Sequence, residues 1–185
     1  MQYPKPAHDY MHLHGYRYEH RAYLRLRQLK LTGKITPHFY GHTPRAQIIY
    51  PPESRVPEEE RFKEPMKAIL IEYLDGELLE PEIFTLDTGR KVQDSIQILH
   101  DAGIAHRDLS GCGDSVRNVL LLRDGEVQLF DFEFTWVLGE TAPDPETFAD
   151  AVDMEDEYTV PCFGVEGSLY LDRYGFDCAV EITNY

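Results

Sequence analysis

The sequence predicts an α+β fold, on three observations. Two stretches carry apolar residues at helical spacing, several short apolar runs are separated by turn residues, and an Asp-Gly turn joins two of those runs. The 185 residues are 42% hydrophobic and 12% aromatic, enough to bury a core.

The first helix is expected from about Tyr16 to Leu31. Tyr16, Tyr23, Leu24 and Leu31 fall at helical offsets, and Gly33 and Pro37 supply a stop. FYG at 39–41 and AQIIY at 46–50 read as strand, PPESRVPEEERFKEP at 51–65 as an exposed loop, and KAILIEYLDGELL at 67–79 as a buried strand leaving through Asp75-Gly76. A second helix is expected from about Leu86 to Ala102, with Val92, Ile96 and Leu99 on one face and Gly103 as its stop. NVLLL and VQLFDF then form a hairpin about Arg123-Asp124-Gly125-Glu126, which sets Asn118 and Asp131 at neighbouring strand ends.

Charge divides the chain. Residues 140–185 hold 12 acids and one base, whereas the preceding part holds 21 acids and 17 bases. Such an acidic surface repels nucleic acid phosphates. The run from Glu140 to Pro161 has eight acids, three prolines and no base, so it is expected to be a flexible segment, with FADAV at most a helical turn. The aromatic stretch 162–185 carries no motif. Cys112, Cys162 and Cys178 form no CxxC pair, and His8, His12, His14 and His20 have no companion ligand spacing, so neither disulfides nor zinc are suggested. No signal-like or membrane-spanning apolar run occurs, and a cytoplasmic or nuclear protein is expected.

The stretch from Gly103 to Glu133, GIAHRDLSGCGDSVRNVLLLRDGEVQLFDFE, resembles the catalytic core of a protein kinase. ILIEYLDG resembles the hinge strand, IQILHDAG the helix before the catalytic loop, and YEHRAYLRLRQL the regulatory helix with its glutamate at Glu19, most of all as in fungal kinase-like proteins. The resemblance covers about Tyr16 to Val137. It implies a partial protein-kinase-like fold at 1–139: a short antiparallel sheet with the regulatory helix, a hinge, one long helix and the catalytic-loop hairpin.

It further implies ATP and Mg²⁺ as cofactors, with Asp108 accepting the substrate hydroxyl proton, Asn118 and Asp131 holding the metal, and Glu72, Tyr73 and Leu74 lining the base site. His106 and Arg107 carry over as scaffolding. Three departures accompany the likeness. Nine residues separate Asp108 from Asn118 where the family has four, Glu133 replaces the glycine after Asp-Phe, and no Gly-rich loop or phosphate-binding lysine precedes Glu19. A bulge over Ser110–Val116 would let Asp108 reach Asn118, and Asp114 is the alternative base.

Two functions follow: ATP-dependent transfer to a protein hydroxyl, or a truncated pseudokinase that binds or regulates without transfer. A small-molecule kinase is a third. Two kinase lobes occupy on the order of 250 residues, so part of the fold is expected to be missing and the surfaces it would cover are expected to favour self-association or a protein partner, with no nucleic acid or membrane partner.

Overall fold

A computed structural model describes residues 8–158, except 48, 50, 51, 53, 54, 56, 59–64, 81, 82 and 110–116, with side chains described from residue 15 onward. The expected exposed loop at 51–65 lies largely outside the described residues, and the C-terminal stretch 162–185 and all three cysteines lie wholly outside them.

The architecture is α+β, with three α-helices and small antiparallel sheets among the described residues. Helix α1 spans His8–Gln28, starting earlier than its apolar spacing suggests and ending on Lys30 at φ 58°, the left-handed residue that follows many helices. Its buried face carries Ala22, Tyr23 and Leu26. Strand β1, Phe39–Ala46, pairs antiparallel with β2, Met66–Ile71. The first strand therefore starts at FYG as expected but runs on through HTPRA and ends at Ala46, where the apolar run AQIIY begins. Gly41 and Pro44 weaken a sequence-based strand assignment, yet both fall where the register shifts, between Phe39 and Gly41 and between Thr43 and Ala46.

The apolar run after β2 does not continue as one strand. Beyond Glu72–Asp75 the chain enters β3, Gly76–Leu78, which joins a different sheet in the order β3-β5-β6, with β5 at Val119–Leu122 and β6 at Val127–Leu129. A Cβ on Gly76 would lie 2.7 Å from the Leu121 carbonyl oxygen, so only glycine lets β3 approach β5 this closely.

Helix α2, Leu86–Asp101, is closed at its start by a reciprocal pair: Thr88 N–H donates to Thr85 Oγ1 at 3.1 Å, and Thr85 N–H to Thr88 Oγ1 at 2.8 Å. Val92, Ile96 and Leu99 bury its inner face as their spacing requires, and Gly103 (φ 73°) turns the chain into β4, Ile104–Ala105. Strand β4 pairs with β7, Trp136–Val137. One core joins these parts, from Tyr23, Leu26 and Phe39 through Val92, Ile96 and Leu99 to Val119, Leu129 and Phe132. The β1–β2 pair leaves Tyr40, Leu70 and Ile71 exposed.

The acidic segment departs most from expectation. Residues Pro145–Tyr158 form helix α3, opened by Asp144, whose Oδ1 accepts from Thr147 N–H at 2.8 Å. Phe148, Ala151 and Glu155 share one face, spaced three and four apart. Phe148 and Ala151 pack with Ala105, and Glu155 is buried, accepting from Arg107 N–H and lying 2.7 Å from His100 Nε2. The acids thus mark the outer side of a docked helix. Glu155→Ala leaves a buried imidazole and a buried amide without their shared acceptor, and should cost about 2–4 kcal/mol. Glu155→Gln, which keeps an oxygen for the amide, should cost less than half as much; urea midpoints of the two variants check this.

No helix among the described residues is long and apolar enough to cross a membrane.

Candidate active site

Between β4 and β5 the residues on either side of 110–116 are held together. Arg117 N–H donates to the Leu109 carbonyl at 3.0 Å. One residue further in, Asn118 Nδ2 donates both to the Asp108 carbonyl at 2.8 Å and to Asp108 Oδ2 at 3.0 Å. Asp108 and Asn118 are therefore in contact despite the long intervening segment; Ser110–Val116 and the alternative base Asp114 lie outside the described residues. With both Nδ2 bonds directed at Asp108, Asn118 Oδ1 is the atom left for a cation.

Phe130 N–H donates to the Asn118 carbonyl at 3.0 Å, which sets Asp131 beside Asn118. Arg107, Asn118 and Asp131 all have positive φ, at 68°, 60° and 61°. Each costs roughly 1 kcal/mol, and three of the four such non-glycine residues described lie at this one site.

A column of rings holds the strained turns. Phe132 is fully buried between Tyr23 of α1, edge-on at 5.3 Å, and His106, tilted at 4.7 Å, and Tyr23 stacks in turn on Phe39 at 5.4 Å. His106 Nε2 bonds to the Phe130 carbonyl at 3.0 Å, and burial holds its pKa below the ordinary value, so the ring is a neutral strut. Arg107 is a second strut. Its guanidinium lies 3.6 Å over the Trp136 ring and donates to the Phe134 carbonyl at 3.0 Å.

Glu19, four residues before Tyr23, faces the same turn. Its carboxylate receives the Phe132 N–H, but burial, then the charges of Asp131 and Glu133, push its pKa up to about 7. Glu133 is pressed on α1 where Gly15 makes room: a Cβ there would sit 3.1 Å from Glu133 Oε2. Among the described residues no lysine or arginine pairs with Glu19. The turn therefore gathers three carboxylates, and the environment of Glu19 is set by burial and the other two acids.

A cavity of about 340 Å³ opens alongside, lined by Pro37, Ile71, Glu72, Tyr73, Leu74, Leu120 and Phe130. It lies within the size range of small-molecule pockets, and its walls are mostly apolar. Glu72 is tied down, its N–H donating to the His38 carbonyl at 2.8 Å and its Oε2 accepting from His38 N–H at 3.1 Å. Phe130 forms one wall and directly precedes Asp131 in the chain.

The expected residues thus fall into three groups: Asp108 with Asn118, Asp131 with Glu19, and Glu72, Tyr73 and Leu74 in the cavity wall. Sequence reasoning missed Tyr23, Pro37, Leu120, Phe130 and Trp136, and Glu155 behind them. Tyr23 had a signal, one helical turn from Glu19, as did Glu155 at helical spacing from Phe148.

Donor chemistry for a nucleotide is present in part. The cavity offers mostly apolar walls, and the Asp131 and Asn118 oxygens are of the donor type that hard cations take. Among the described residues no group of three or more His, Cys, Asp or Glu is arranged to hold a metal by itself. No family model matches the chain, and no curated protein matches it.

Glu19 carries a test of this electrostatic account. Because its folded-state pKa rises from 4.5 to about 7, its contribution to stability is complete below pH 4.5 and is lost as pH rises through about 7. Glu19→Gln removes that loss. At pH 8 the variant should melt about 3–6 °C above the wild type, with the gap closing below pH 5, as read by thermal denaturation across pH.

Proposed function

We propose that the chain is a protein-kinase-like module that binds a nucleotide through its base and acts as a binding or regulatory domain, a pseudokinase, rather than as a phosphotransferase. The observation that carries this reading is the cavity lined by Glu72, Tyr73, Leu74, Leu120 and Phe130, the last of which directly precedes Asp131 in the chain. Its apolar walls suit a purine, and the adjacent backbone of Tyr73 and Leu74 offers donors and acceptors for the base edge.

Against transfer stands the charge balance. Phosphoryl transfer needs positive charge on the transferring group, and loss of such a contact costs a few kcal/mol of transition-state stabilisation. Here the position that would hold a lysine's partner, Glu19, instead meets Asp131 and Glu133. A bound Mg²⁺ would neutralise part of the charge of these carboxylates and of the phosphates. Asp131 and Asn118 would orient it.

One observation favours the second reading, ATP- and Mg²⁺-dependent transfer to a protein hydroxyl. The Asn118 carboxamide donates to Asp108 Oδ2 at 3.0 Å, a contact that would support Asp108 as a general base.

Thermal shift with adenosine, ADP and ATP, with and without Mg²⁺, tests the module. Saturation near ten times Kd should raise Tm by about 3–5 °C. Leu120→Trp, which fills the cavity, should abolish the rise, and Asp131→Asn should remove only its Mg²⁺-dependent part. No response to any of the three at millimolar concentration rejects nucleotide binding. Phosphate transfer that Asp108→Asn abolishes would replace the pseudokinase reading with the enzyme.

A further inference from the structure

Strand β2 is apolar on both of its faces. Ile69 packs against the core and Ile71 stands in the cavity wall. Alternation along the strand turns Met66, Ala68 and Leu70 to the opposite face, and their partners on β1 are Ala46, Thr43 and Gly41. Met66 is 37% exposed and Leu70 50%, while Tyr40, at the register shift of β1, adds a ring that is 65% exposed. An antiparallel pair with one solvated face ordinarily places polar side chains there. This face has only Thr43 for that purpose. The exposed large apolar side chains of the helices, by contrast, stand singly: Leu29 on α1, Leu86 on α2 and Met154 on α3.

We propose that residues 162–185 of the same chain cover this outer face, laid along the β1–β2 pair as an extended apolar segment. Their sequence, CFGVEGSLYLDRYGFDCAVEITNY, has no proline, and Leu169 with Leu171 and Val180 with Ile182 follow the two-residue spacing that turns apolar side chains to one side. Charge favours the match. Strands β1 and β2 carry His42, Arg45 and Lys67 and no acid, whereas residues 162–185 carry four acids and one base.

Reach permits it as well. The 27 residues that follow Tyr158 begin at the end of α3. A domain of this size is about 40 Å across, and with ten residues laid on the sheet the other seventeen extend to about 55 Å. The connection between the two strands is a poorer occupant: residues 51–65 hold four prolines and five acids against two large apolar residues, Val56 and Phe62. A second copy would set the same cations against each other. The covered face lies on the reverse of the strand that supplies Ile71 to the cavity, and the inference does not rest on nucleotide binding.

Two measurements on the full chain test the proposal. Ala68→Cys places a thiol on the outer face, and a bismaleimide spanning about 10 Å should join it to Cys178 or Cys162 within one chain, as mapped by mass spectrometry. Hydrogen exchange of the wild type should show amides between 169 and 182 exchanging about tenfold or more slower than in an unstructured peptide. Leu70→Asp, which sets an acid against the acidic segment, should return those amides to the free rate; the wild-type exchange and the cross-link decide the matter even where this variant fails to fold. Absence of protection in the wild type, protection unchanged in Leu70→Asp, no cross-link to Cys162 or Cys178, or cross-links formed only between two chains would overturn it.

Discussion

The burial of Phe132 between Tyr23 and His106 is the contact on which the rest of the site depends. It joins three segments far apart in sequence: α1, the loop after β4 and the turn after β6. Each neighbour of the column carries a polar atom of the site with it. His106 holds the Phe130 carbonyl, Phe132 N–H faces Glu19, and Asp131 lies between them in a left-handed conformation that an isolated chain would rarely adopt. Apolar burial on this scale outweighs the cost of three left-handed residues, whereas hydrogen bonds to water could not. The carboxylates are therefore positioned by rings that take no part in their chemistry.

Charge tells a complementary story. Several cations near the fold's centre serve as tethers: Lys91 binds the Gly125 carbonyl and Glu126, Arg25 the Ala102 carbonyl, Arg21 Glu140, and Arg107 Trp136 and the Phe134 carbonyl. Each bridges elements distant in sequence. None is directed at Glu19, whose environment is set by burial and by two other acids. Burial and the neighbouring acids thus make ionisation of Glu19 costly in the folded chain.

What the sequence disclosed, and what it hid, follows from the range of the interactions. Both long helices and the β5–β6 hairpin rest on local signals, periodic Val92, Ile96 and Leu99 and the Asp124-Gly125 turn, and these are realised where expected. Convergence of Asp108 and Asn118 was legible too, since a loop closed at Leu109 and Arg117 tolerates insertion with little entropic cost. The continuation of β1 beyond FYG was missed because Gly41 and Pro44 disguise a bulged edge. The apolar run from Lys67 to Leu79 concealed a change of sheet at Glu72–Asp75, which no local pattern encodes. Helix α3 was hidden by charge: Glu155 counts as one acid among eight until His100 and Arg107, some fifty residues earlier, are brought against it. The cavity likewise exists only after β2, β5 and the turn before Asp131 meet.

Helix α3 also determines what Arg107 can do. Eleven residues separate Glu133 from Pro145, and within them the chain must supply β7 and return to the loop after β4. That short path sets Trp136 under the guanidinium and Glu155 on the backbone N–H of the same residue. The face of Arg107 is stacked, an edge is bonded to Phe134, and its amide is anchored from α3, so capture of a phosphate on an activation segment would require unstacking the ring and breaking the Phe134 bond. Arg107 is a fixed post rather than a switch. The opposite side of the same turn is fixed by α1, where Gly15 admits Glu133, Glu19 receives the Phe132 amide, and His20, one residue on, ties the helix to His42 of β1.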